Sequence, residues 1–84
     1  MTWWVYLLRC GDGTLYCGVA LDVDTRLKQH QEGKGAKYTR GRGPLELVYR
    51  EACDTKAAAL CKEREIKRLS RLAKLRLCGL SPSP

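Results

Sequence analysis

The sequence predicts an α+β fold: a small three-stranded antiparallel sheet flanked by helices, in the order β-β-α-β-α-α. Three observations carry this reading. Residues 3–10 and 14–20 are rich in aromatic and β-branched side chains and flank the turn-forming Gly11-Asp12-Gly13. Cap-forming residues and glycines then bracket three stretches suited to helix. Finally, 84 residues are enough for one modest core and leave no room for a second. The expectation is one domain over residues 1–80, with Ser81-Pro82-Ser83-Pro84 as a frayed tail.

Taken in order, the first two stretches make a β-hairpin whose register depends on its loop. A two-residue turn at Asp12-Gly13 would pair Tyr6 with Val19 and send Tyr6 and Tyr16 to opposite faces. A three-residue loop, with Gly13 in the left-handed conformation, sets Tyr6 opposite Gly18 and makes Tyr16 its diagonal neighbour. The three-residue loop is the prediction. Asp22 or Asp24 can cap a helix reaching about residue 32, where Gly33 and Gly35 stop it. A Gly-rich basic loop follows at 33–43, and Leu45 to Ala52 read as the third strand after Pro44. Asp54 is placed to cap a helix to about Leu69, and Ser70 to cap a last basic helix ending before Gly79.

The net charge of +7 is uneven: residues 1–25 carry −2, 26–50 carry +5, 51–55 carry −2 and 56–84 carry +6. Such a field draws polyanions, so nucleic acid is the expected partner, with an anionic membrane surface behind it. The apolar run from Trp3 to Leu8 is too short to span a bilayer and no signal peptide is present, so no membrane association and a cytoplasmic location are expected. Five cysteines without a C-x-x-C pair, and His30 as the one imidazole, argue against zinc and for reduced, mostly buried thiols. Trp3 and Trp4 are adjacent on a strand and point to opposite faces, so one of them is expected in the core.

Several residues could carry chemistry. Tyr6 and Tyr16 meet only in the three-residue register, with Gly18 leaving space above the strand; otherwise they are ordinary hairpin tyrosines. Arg26 and His30, four apart, share one helix face and offer a cationic fork and a proton-transfer group. At about 100° per residue, Ala59, Glu63, Ile66 and Leu69 fall on one stripe, with Glu65 opposite. An acid on an inward stripe needs a partner, either a cation such as Mg²⁺ or a salt bridge. Lys34, Lys37, Arg40 and Arg42 could track a phosphate backbone, or could simply be solvated.

The series Val5-Tyr6-Leu7, Tyr16-Cys17-Gly18, Arg26, His30 and a later helical Glu63 resembles the GIY-YIG nuclease superfamily. The runs GKGAKYTRGRGPLELVY (33–49) and LCKEREIKRLSR (60–71) look like its small bacterial stand-alone members, catalogued as uncharacterised proteins. The resemblance implies a nuclease site of Tyr6, Tyr16, Arg26 and His30, with Glu63 holding one divalent ion, Mg²⁺ or Mn²⁺. It implies phosphodiester hydrolysis in which Arg26 stabilises negative charge and a tyrosine, or a water it orients, supplies or activates the nucleophile; of the two tyrosines, Tyr6 is the expected base. A module that binds nucleic acid on the same scaffold without cleaving it is the alternative. Many members carry an asparagine after the glutamate; this chain has none, and Ser70 is the candidate substitute.

Overall fold

In a computed structural model, which describes residues 1–35 and 39–79, the order is β1 (Trp3–Arg9), β2 (Leu15–Ala20), α1 (Val23–Gln31), β3 (Glu46–Cys53), α2 (Lys56–Lys67) and α3 (Arg71–Leu77). The chain is thus an α+β protein. Its sheet is antiparallel in the order β2-β1-β3, so β1 is central. The 81–84 tail falls outside the described residues.

The hairpin takes the three-residue loop. Cys10 N donates to the Thr14 carbonyl at 2.8 Å, Gly13 N to the Cys10 carbonyl at 2.9 Å, and Gly13 has φ +86°. Asp12 Oδ1 fixes the far side by accepting from Thr14 N and Thr14 Oγ1. The register follows, with Tyr6 opposite Gly18 and Leu8 opposite Tyr16.

Alternation along β1 then sorts the core. Tyr6 and Leu8 face one way and gather Ala20, Val23, Leu45 and Leu27, so α1 covers this face. Val5 and Leu7 face the other way and meet Cys17, Ile66 and Leu77, so α2 and α3 cover the second. Val5, Leu7 and Leu8 have no exposed surface, and each such side chain stabilises by roughly 1.5–3 kcal/mol. Neither tryptophan is fully buried: Trp4 lies beneath the Arg50 guanidinium and Trp3 beneath Lys56, at 5.2 and 5.4 Å. Of the five thiols, all free, Cys10 and Cys17 are buried, Cys53 and Cys78 half-buried and Cys61 exposed.

Three caps differ in how well they match expectation. Asp22 accepts from Thr25 N and Ser70 from Ala73 N, as expected. On α2, however, Thr55 rather than Asp54 is the cap, accepting from Ala58 N at 3.0 Å. That helix also ends at Lys67, and Leu69 lies 38% exposed instead of on the buried stripe. Among the described residues no helix is long and apolar enough to cross a membrane.

Candidate active site

The hairpin register brings Tyr6 and Tyr16 together, and α1 adds His30 to them. Tyr6 Oη and His30 Nε2 are hydrogen-bonded at 2.9 Å, and His30 Nδ1 bonds Thr39 Oγ1 at 2.9 Å. Ring centroids lie 6.5 Å apart for the tyrosine pair and 5.2 Å for Tyr16 and His30. The Tyr6 phenol needs Gly18 across from it, since a Cβ there would sit 2.5 Å from Tyr6 Oη and 3.1 Å from the Tyr16 ring. Gly35 does the same for the imidazole: a Cβ at that position would clash with His30 Nδ1. Tyr6, His30 and Thr39 are almost wholly buried, whereas Tyr16 stays partly open.

Electrostatics follow from that burial. Desolvation, and then the neighbouring Tyr16, push the Tyr6 phenol up to about 12, against the opposing pull of Arg26. Tyr16 is also raised by burial, and the strongest cationic influence on it is Lys67, ahead of Arg26. Burial first, and Arg26 second, hold His30 below its ordinary value, so the imidazole is neutral at pH 7. Arg26 is anchored on α1, where its Nη1 donates to Gln29 Oε1 at 2.9 Å.

Glu63 comes from α2. Its side chain is 21% exposed and pairs with Lys67 at 3.6 Å, while Glu65 is 71% exposed and faces out. The helix that carries Glu63 packs against the edge strand β2, and the Glu63 charge adds to the upward shift of both the Cys17 thiol and the Tyr16 phenol. Among the described residues no three His, Cys, Asp or Glu side chains cluster to form a protein-made metal cage. A single carboxylate suits a hard cation that keeps its waters and takes further oxygens from a phosphate, as Mg²⁺ does. Lys67, more than half exposed, is free to swing aside. The donor set fits Mg²⁺ or Mn²⁺ and does not fit zinc.

The basic loop is less open than its composition suggests. Arg42 forms an ion pair with Asp12, and Arg40 Nε donates to the Gly33 carbonyl. Lys34 is exposed, and Lys37 lies outside the described residues. Ser70, whose hydroxyl caps α3, is committed there. Sequence reasoning missed Thr39, Gly35 and Lys67. The KGAKYT run that delivers Thr39 was visible as a basic loop, but nothing in it signalled a return to His30.

A UPF0213 protein of Natronomonas pharaonis is 54% identical over 74 residues, covering 88% of this chain and 87% of that one. A UPF0213 protein of Staphylococcus aureus strain Mu3 is 52% identical over 73 residues, covering 87% and 89%. The solution structure of a UPF0213 protein from Bacillus halodurans superposes with a TM-score of 0.61 at 50% identity, over all of this chain and 89% of that one. The solution structure of an E. faecalis protein gives 0.62 at 31% identity, over 92% and 83%. The family model described as the GIY-YIG catalytic domain matches residues 2–76, a span containing both tyrosines, Arg26, His30 and Glu63, and the chain therefore belongs to the GIY-YIG family of nuclease domains.

Proposed function

We propose that this protein is a metal-dependent endonuclease that hydrolyses phosphodiester bonds in nucleic acid, DNA by preference. The observation that carries the reading is the hydrogen-bonded chain from Tyr6 through His30 to Thr39, beside Tyr16 and Arg26. With Nδ1–H donating to Thr39 Oγ1, the neutral His30 presents Nε2 as an acceptor to the Tyr6 hydroxyl. A phenol near 12 is protonated at neutral pH. Tyr6 therefore serves as base by handing its own proton to His30 as it takes one from the attacking water. Arg26 offers fixed donors to the phosphate oxygens as negative charge grows on them. Glu63 would hold the divalent ion, which when bound would supply Lewis acidity toward the phosphate.

The second reading, binding without cleavage, draws on the Glu63–Lys67 pair: Glu63 then has a structural role only. Glu63→Gln separates the two. A helical i,i+4 pair with a largely exposed lysine contributes only about 0.3–0.5 kcal/mol, so the variant should stay folded with a nearly unchanged thermal midpoint. Cleavage of a panel of DNA and RNA substrates in Mg²⁺ should drop by two or more orders of magnitude, with binding retained. Glu65→Gln is the control and should remain active. An active Glu63→Gln protein would refute the metal assignment, and a folded wild type inactive on every substrate would favour the binder.

A further inference from the structure

Beyond the tyrosines lies a second basic feature that the cleavage chemistry does not use. Residues 67–79 contain Lys67, Arg68, Arg71, Lys74 and Arg76 and no acid. Of these, Lys67 has its Glu63 partner; no ion pair among the described residues engages the other four. Like charges on adjacent turns repel one another, and an anionic ligand would relieve that repulsion.

The patch has a cavity. Thr14, Leu15, Arg71 and Lys74 line a cleft of about 190 Å³ between the start of β2 and α3. At about 30 Å³ per water, it has room for a phosphate group with part of its hydration. Arg71 is held at the rim, since its Nη2 donates to the Gly13 carbonyl at 2.9 Å. Asp12, on the hairpin loop two residues before Thr14, is already engaged by Thr14 and Arg42. Lys74 lines the cleft together with Thr14 and Leu15, and its charge, like that of Lys67, pulls the Cys17 thiol down against the stronger upward push of burial.

The cleft lies at Thr14 and Leu15, at the start of β2, the strand that carries Tyr16. Lys67, paired with Glu63, belongs to the same basic run, and Thr14 stands two residues, or about 7 Å of extended chain, before Tyr16. That is roughly the step from one phosphate to the next along a nucleic-acid strand. We propose that Arg71 and Lys74 form a second phosphate site, which holds the backbone phosphate neighbouring the scissile one and draws the strand across the β2 edge onto α3. The proposal rests on the nucleic-acid reading above and names the part of the substrate that this cleft takes. It also adds α3 to the 33–43 loop as a phosphate track, since Arg42 of that loop is already paired with Asp12.

The test uses the full chain in chelator, so that nothing is cut, with a short single-stranded DNA titrated at several salt concentrations. Lys74→Gln keeps the side chain's stem while removing its charge. It should weaken binding several-fold and flatten the slope of log affinity against log salt by about 0.7, the value of one lost contact on a single strand. Lys74→Arg should restore both. A neutral methylphosphonate scanned along the oligonucleotide should, at one position, weaken wild-type binding by a similar factor and leave Lys74→Gln unaffected. If the two effects multiply at every position, or if the salt slope of Lys74→Gln equals that of the wild type, the second phosphate site is wrong while the nuclease reading stands. If the wild type binds no oligonucleotide at all, the nucleic-acid reading fails first, and the proposal with it.

Discussion

His30 shows how much a single side chain depends on its surroundings. Both ring nitrogens are engaged, by Tyr6 and Thr39, and the ring is 2% exposed. Because its folded pKa lies below the unfolded value of about 6.5, the unfolded chain takes up the proton first as pH falls. The stability contributed by neutral His30 is therefore fully present above about pH 6.5 and is lost as pH drops through the folded pKa. Asp12 and Asp22, lowered mainly by hydrogen bonds from Thr14 and Thr25, act in a separate window below the ordinary carboxylate range. The thermal midpoint of the wild type should fall between pH 7 and pH 5, and His30→Gln should start lower but change much less over that interval. Equal slopes for the two proteins would show that His30 is not the titrating group. At this scale the spacing of Tyr6, Tyr16, Arg26 and His30 was legible because it follows from strand alternation and helical periodicity. Thr39 and Lys67 were not, because one depends on the path of an irregular loop and the other on how α2 packs against β2.

Among the secondary-structure elements, existence and order were legible, and the ends less so. Asp54 and Thr55 are adjacent and both are good cap residues, so composition favoured neither. The choice is made by β3, which runs on to Cys53 and places Asp54 in the turn, leaving Thr55 in extended backbone with its Oγ1 toward Ala58 N. Thr55→Ala should accordingly cost about 1 kcal/mol and lower the thermal midpoint by roughly 4–8 °C for a chain of this size. Asp54→Ala should stay within about 0.5 kcal/mol. Calorimetry on the pair decides the assignment, and the reverse order would restore Asp54 as the cap. The overshoot at the helix end has a similar cause: Leu69 fits the apolar spacing, but α2 stops at Lys67, so the chain turns before that side chain reaches the sheet.

At the level of the whole molecule, the sheet with its two covered faces was predictable from patterning, while the connections between distant segments were not. The hairpin tip is the clearest example. Gly11 N donates to the Arg42 carbonyl, Asp12 pairs with Arg42, and Gly11 lies so close to the Gly43 carbonyl that no Cβ would fit. From the other side Arg71 grips the Gly13 carbonyl. Hairpin tips are ordinarily where a chain accepts extra residues, and where epitopes and fusion partners are spliced in. Here the tip is tied to segments roughly thirty and sixty positions away, so lengthening it disturbs the basic loop and α3 together. A short Gly-Ser insert between Asp12 and Gly13 should reduce soluble yield and lower the melting temperature. Lineages that have gained length in this family are expected to have added it elsewhere.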